Sequence, residues 1–461
     1  MRPELRPWLV ILALVATTCG PTGAGSRHPT FPDGGLLAGA APVPAASFGA
    51  FRGTWTVGPG ADAFGDVVAA GSTASTTGGA GGAGGAGGAG GAGGTGGAGG
   101  TGTASTAGTV SLFAARNEAY VVLRAGCLAG GTELVLEGYW RYAASSDTGL
   151  VRLFVGPPDA ARALCEGSAP ATALSLDGAY GEGADLPDAP LALAYRSPPK
   201  EEPGRTFHVV AHRGGCRTSD DCGASENSLE VLRLAESLGA DAVEVDVRLT
   251  ADGVPILYHD DDFSSRLVVG EYCRGPVEAF TFAHVRALCR LRFGEEIPTL
   301  EAAMRTMVEE TTLRGLWLDV KRAAAVAPAA ELARKYMDLA AAAGRHASIV
   351  TGLGERDVFD AYVGAGLVGS ARCLTELEPE DVHAADCRIF APRWTRGPMP
   401  ETVQALQAEG RIVAFWTLDE MDFIDAFLRE AVPNALLTNR PGLVFHRFAM
   451  LGTLPPPAPE P

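Results

Sequence analysis

Eight side chains able to act as acids, bases or cations fall in close pairs along the second half of the chain: His212 and Arg213, Glu244 and Asp246, His259 and Asp260, Asp319 and Lys321. Residues two apart on an extended strand point to one face, so Glu244 is presented with Asp246, and Asp319 with Lys321. Three carboxylates sharing an interior repel one another unless protonated, paired or bound to a cation. Glu244, Asp246 and Asp319, all oxygen donors, suit one hard divalent cation, Ca²⁺ or Mg²⁺, rather than zinc. Two imidazoles beside such an ion, His212 and His259, can divide acid and base work near neutral pH, while Arg213 and Lys321 neutralise an anion. This inventory fits phosphoryl transfer. Each pair also has a plain structural reading: a satisfied strand-end histidine, a solvated Glu-x-Asp face, an ion pair inside "LDVK". Their joint occurrence in this order, each at a strand tip, is what structure alone explains poorly.

The elements that must present them are short. "FHVVAH" from Phe207 reads as a buried strand that stops at glycines, which we expect to let a substrate phosphate approach the backbone. Further strand candidates are "AVEVDVRL", "PILYH", "LWLDVK", "SIVTG", "ARCLT", "CRIFAP", "RIVAFWT" and "ALLTN", with helical segments such as "TLEAAMRTMVEE" and "PETVQALQAEG" between most of them. This alternation over residues 207–447 predicts an α/β fold, a (β/α)8 TIM barrel. Nine candidates compete for eight staves, so one must lie outside. Upstream, residues 46–196 carry short β-like runs spaced by glycines, predicting a small all-β domain, sandwich or barrel. Its glycine-rich insertion at 78–100 is expected to hang from a hairpin; it lacks the Gly-Lys-Ser/Thr end of a phosphate-binding loop. No catalytic constellation shows in this region, which reads as a spacer or packing domain, or else as a carbohydrate-, lipid- or protein-binding one. Residues 20–45 read as a tether, 197–206 as a charged, proline-rich linker and 448–461 as a disordered tail.

With 461 residues, 46% of them hydrophobic, the chain can build two or three cores, and its formal net charge of -17 argues against nucleic acid as a partner. Arg2 and Arg6, the apolar run Trp8 to Ala16 and small residues after it make residues 1–19 a secretory signal. The stretch ending at Cys19 is similar to a bacterial lipobox, although Thr18 is a poor residue before the cysteine. We therefore expect an exported protein, whether periplasmic, cell-surface lipoprotein or secreted, touching membrane only through an anchor at Cys19. Eight further cysteines fall into near neighbours, Cys127 with Cys165, Cys216 with Cys222, Cys273 with Cys289 and Cys373 with Cys387. An even count in an exported chain supports disulfides, and no CxxC or CxxH spacing supports zinc. Oligomeric state is not legible.

The runs "AHRGG", "SENS", "EVDVRLTADGVPILYHD", "IPTLEAAM", "WLDVK", "VAFWTLDE" and "LTNRPG" resemble, in this order, the glycerophosphodiester phosphodiesterases. The resemblance spans 207–447 and leaves out the β-rich region. It implies a metal-dependent hydrolase that cleaves small glycerophosphodiesters to glycerol phosphate and an alcohol. It further implies His212 and His259 as the acid/base pair; Glu244, Asp246 and Asp319 as metal ligands; Arg213 and Lys321 on the phosphate; and Trp416 lining the pocket near the glycerol or alcohol. In that family a glycerol hydroxyl attacks phosphorus to give a cyclic phosphate that water then opens. Two departures stand out. Ser225 replaces the usual proline before Glu226 and Asn227, leaving Glu226 either in the metal shell or at a helix start with Asn227 or Ser228 as cap. Asp319 replaces a glutamate, which is also similar to the sphingomyelinase D and phospholipase D toxins, and that implies lysolipid or sphingolipid head groups as an alternative. A catalytically inactive surface binding protein is the third reading, disfavoured because both histidines and all three carboxylates are present.

Overall fold

A computed structural model of the chain describes residues 28–58, 64–72, 108–143, 145–198, 206–217 and 223–451. The signal segment with Cys19, the glycine-rich insertion, Cys222 and most of the tail lie outside the described residues.

Eight strands between Gly53–Val57 and Ala189–Ser197 pair antiparallel, each with the next in sequence, and the last returns to the first with Val57 opposite Leu193. The sheet therefore closes on itself. Its alternating apolar residues, among them Trp55, Leu123, Leu136 and Leu153, fill the interior. The strands flanking the glycine-rich segment pair with Ser72 opposite Thr109, so both ends of that segment start from adjacent strand ends. Residues 28–45 are not a free tether. A 3-10 segment Pro32–Gly39 is followed by Ala41–Pro42, which pairs with Gly126 and Cys127, and His28 stacks on Tyr139 at 3.9 Å.

The second half forms eight parallel strands, His208–Ala211, Ala242–Leu249, Gly315–Val320, Ser348–Leu353, Cys373–Thr375, Ile389–Phe390, Ile412–Phe415 and Ala435–Thr438. The eighth pairs back to the first, His208 opposite Ala435, which closes the barrel. Every strand is followed by a helix, and the last of these, Pro441–Met450, runs into the segment expected as a disordered tail. "PILYH" is the surplus candidate: Pro255–Leu257 pairs antiparallel with the second stave, Val247 opposite Leu257, and stands outside the barrel. A short antiparallel ribbon of this kind has no crossover helix to bring it back parallel. The apolar layer between staves and helices is the main core; a smaller one with Trp317, Val350 and Leu374 fills the barrel below its mouth.

Disulfides join Cys127 to Cys165, Cys273 to Cys289 and Cys373 to Cys387. Cys216 is also disulfide-bonded. The two barrels meet through the final helix. Phe445 packs on Phe113 with ring centroids 5.3 Å apart, His446 Nε2 donates to the Asp66 carbonyl at 3.1 Å, and Arg440 Nη1 donates to Glu118 Oε1 at 2.6 Å. A Cβ on Gly442 would come within 2.6 Å of the Phe113 ring, so glycine is what lets the surfaces touch.

Candidate active site

The carboxyl ends of the staves surround a pocket of about 570 Å³ lined by His212, Arg213, Glu244, His259, Asp319, Lys321 and Trp416 together with Glu376 and Arg393. The C-terminal mouth of a parallel barrel is where such chemistry is built. Stave register puts Asp246 opposite Asp319, and Glu244 opposite Trp317. Glu244, Asp246 and Asp319 thus converge, each with a carboxylate oxygen within 4.8 Å of the others.

The turn after the first stave aims the rest. Arg213 has a φ of 52°, a left-handed conformation uncommon for a non-glycine residue, and in it the Arg213 N–H donates to Glu244 Oε2 at 2.8 Å. Gly214 and Gly215 follow with φ of 99° and 92°. A Cβ on Gly214 would sit 2.3 Å from Val231. These glycines serve the tight turn and its packing. The Arg213 side chain reaches Glu226 at 2.9 Å and Asp246 at 3.5 Å. Glu226 is a partner of Arg213 and stands outside the carboxylate cluster. Ser228 is the helix cap, its side chain accepting from the Val231 N–H at 3.0 Å. Asn227 instead braces a carboxylate. Its amide donates to Asp246 Oδ2 at 2.7 Å and its oxygen accepts from the Asp246 N–H at 3.0 Å.

His259 follows the outlying strand rather than a stave, yet it reaches the same pocket. Arg248, on the second stave, clamps the His259 carbonyl with two hydrogen bonds of 3.0 and 2.8 Å. The His259 Nδ1–H donates to Asp260 Oδ1 at 2.8 Å, leaving Nε2 uncommitted. At the tip of the first stave, His212 Nδ1 lies 2.8 Å from Asn439 Oδ1. Asn439 spends its own amide protons on Asp419 Oδ2 at 2.6 Å, so its oxygen must accept and the His212 proton sits on Nδ1. His212 Nε2 then carries a lone pair, 3.8 Å from Glu244 Oε2. Burial, with the Arg213 guanidinium second, pulls this imidazole down to about 4.

Burial and the neighbouring Asp246 and Asp319 push the Glu244 carboxyl far above its ordinary range. Burial acts the same way on Asp246, but Lys321 and Arg213 outweigh it and hold that carboxyl low. Lys321 is correspondingly raised against its own burial by Asp246 and Asp319, whose oxygens lie 2.7 and 2.5 Å from its Nζ. Among the described residues, Glu244 Oε1 is buried without a hydrogen-bond partner. Three carboxylates against two cations, with an orphaned oxygen between them, form a donor set that fits a hard divalent cation.

Sequence reasoning passed over Asn439 and Asp419, Asn227 as a support of Asp246, Glu376 and Arg393. Glu376 directly follows the fifth stave and is pushed well above the ordinary carboxyl range by burial and then by Asp319. Arg393, after the sixth, lies over the Trp416 ring at 5.0 Å; the indole N–H donates to the Ala391 carbonyl at 2.7 Å. The usable signal was a polar residue ending each apolar run, as in "CLTE" and "FAPR".

Comparison with known proteins points the same way. Residues 212–331 match the Glycerophosphoryl diester phosphodiesterase family. The chain is 38% identical to glycerophosphodiester phosphodiesterase 1 of Rattus norvegicus over 146 residues, 30% of this chain and 40% of that protein. It is 27% identical over 239 residues, 47% of this chain and 83% of the relative, to a protein of Mycobacterium tuberculosis named "Probable glycerophosphodiester phosphodiesterase 2". A solved glycerophosphodiester phosphodiesterase from Parabacteroides distasonis aligns at 21% identity and a TM-score of 0.44, covering 54% of this chain and all of that one. The chain spans about 40% of the length of the mammalian relatives it matches. Over residues 212–331, within its parallel barrel, the chain is similar to the glycerophosphoryl diester phosphodiesterase family.

Proposed function

We propose that the protein hydrolyses small glycerophosphodiesters to glycerol phosphate and an alcohol. One observation carries the reading: two imidazoles, each held by a side chain at Nδ1, face one pocket across the three carboxylates and two cations. Glu244, Asp246 and Asp319 would hold one Ca²⁺ or Mg²⁺, which when bound supplies positive charge to offset the charge growing on the phosphoryl oxygens. Arg213 and Lys321 add fixed cations on the same side. His212, with its proton locked on Nδ1, takes the proton of the attacking glycerol hydroxyl at Nε2, and His259, entering the step as an imidazolium whose Nδ1–H stays on Asp260, gives its Nε2 proton to the departing alcohol oxygen. The cyclic phosphate so formed is opened by water with the proton flow reversed. Trp416, fixed by Ala391, walls the side where the glycerol or alcohol lies.

Asp319 favours a second reading. Its carboxylate is one carbon shorter than the glutamate usual in the family, as in the phospholipase D-like enzymes that cleave lysolipid head groups. Phosphorus NMR separates the two, with metal-stripped protein restored with Ca²⁺ or Mg²⁺ and offered glycerophosphocholine or lysophosphatidylcholine. Glycerol phosphate from the first, only with metal, is the expected result. A cyclic phosphate from the lysolipid alone would transfer the protein to the second reading, and no product from either would overturn both. His212→Ala should lower turnover by at least about 100-fold with the fold intact. We further infer an exported protein whose antiparallel barrel is a separate all-β domain; the proposed signal at residues 1–19 and the even number of cysteines after Cys19 support export.

A further inference from the structure

Between the outlying strand and the helix at Leu300–Glu310 the chain builds a lobe of its own. Asp262–Phe263 pairs with Gly275–Pro276, Val268–Val269 with Arg290–Leu291, and the Cys273–Cys289 disulfide bolts the two ribbons together. Tyr258, Phe263, Leu267, Val277 and Val285 give it a small dry core. Three large apolar side chains are nonetheless left outside that core: Val269, Tyr272 and Leu288, at 38%, 70% and 37% exposure. They are neighbours. Val269 stands opposite Arg290, Tyr272 precedes the bridged Cys273, and a Cβ on the intervening Gly270 would lie 2.2 Å from the Leu288 carbonyl oxygen.

Charge around this tip runs against the rest of the molecule. Residues 266–292 carry five arginines (266, 274, 286, 290 and 292) against Glu271 and Glu278; Arg266 and Arg290 are engaged by Asp260 and Glu296 at the base of the lobe. Arg274, Arg286 and Arg292 are exposed and make no ion pair among the described residues. The lobe also stands at the pocket rim, because Arg266 and His259 share the Asp260 carboxylate, at 2.5 and 2.8 Å.

We propose that this disulfide-bolted tip is a docking surface for an anionic phospholipid bilayer, seating the mouth of the parallel barrel on the membrane. An amphipathic tyrosine flanked by aliphatic side chains suits the headgroup boundary. Unpaired arginines are drawn to anionic lipid, and the disulfide holds the tip in shape before contact, which limits the ordering cost of binding.

The test uses the full chain carrying Cys19→Ala, so that no acyl anchor can contribute, with vesicles of phosphatidylcholine alone or mixed with phosphatidylglycerol. The mixed vesicles should sediment the protein and slow amide hydrogen exchange within residues 266–292. Val269→Ser, Tyr272→Ser and Leu288→Ser combined should reduce partitioning about tenfold, and added salt should weaken it further. Arg274→Glu with Arg286→Glu, both surface changes, gives an independent variant with the same expected loss if the serine variant does not fold. Equal sedimentation of either folded variant, or protection confined to other segments, overturns the proposal. So does equal binding to vesicles without phosphatidylglycerol.

Discussion

The imidazole of His212 is aimed by a relay of two side chains, Asp419 and Asn439, rather than by its own strand. Asp419 accepts from both the Asn439 backbone and its amide, and Asn439 in turn fixes the proton of His212. Asn439→Ala should therefore leave substrate binding nearly unchanged while lowering kcat by about 100-fold, since a base presented in the wrong tautomer loses most of its general-base contribution; steady-state kinetics separates the two constants. Support of the carboxylate cluster is equally indirect. Asn227→Ala removes both hydrogen bonds to Asp246 and should weaken divalent cation affinity about 10–100-fold, read by calorimetric titration. The residues legible in the sequence were those that came in pairs on one strand face, Glu244 with Asp246 and Asp319 with Lys321. Asn439 lies 227 positions from the histidine it orients, and Glu376 and Arg393 each arrive singly after a two- or three-residue strand. Their one signal, a polar residue closing a short apolar run, carries no spacing that ties it to a partner.

At the scale of elements, the order of strands and helices in the parallel barrel followed from hydrophobic alternation, and the surplus ninth strand did not. "PILYH" is as apolar as its neighbours; what decides its place is the short turn before it, too brief to hold a crossover helix, and composition does not register that directly. The turn after the first stave gives the sharpest test of local structure. Gly214→Ala must place a Cβ at 2.3 Å from Val231 and hold a φ of 99°, so it should cost about 1–3 kcal/mol in urea denaturation. It should also reduce activity, because the Arg213 N–H that holds Glu244 belongs to the same turn. The early segment misjudged as a tether has a related lesson. Its glycine and proline content describes a chain unable to form a core alone, but edge pairing with Gly126 and Cys127 requires only backbone.

Across the whole molecule the two barrels share a buried titratable group. His446 is buried beside the Asp66 carbonyl, and burial lowers its imidazole to about 4, with the bond to that carbonyl opposing in part. Unfolding returns it toward 6.5, so the unfolded chain takes up the proton first. The stabilisation is complete above about pH 6.5 and drains away as pH falls through 4, amounting to at most about 3 kcal/mol. Urea midpoints at neutral and mildly acid pH should show the native protein losing more stability than His446→Gln over that interval. Nothing in the sequence indicated this contact, because it joins Asp66 to a helix 380 residues later. The Arg440–Glu118 pair extends the same joint to the chemistry. Arg440 is the peptide neighbour of Asn439, so the residue that docks the barrels and the residue that fixes the His212 proton stand side by side after the eighth stave. If breaking the Arg440–Glu118 pair weakens substrate binding, reciprocity requires that substrate strengthen the docking of the two barrels by the same amount.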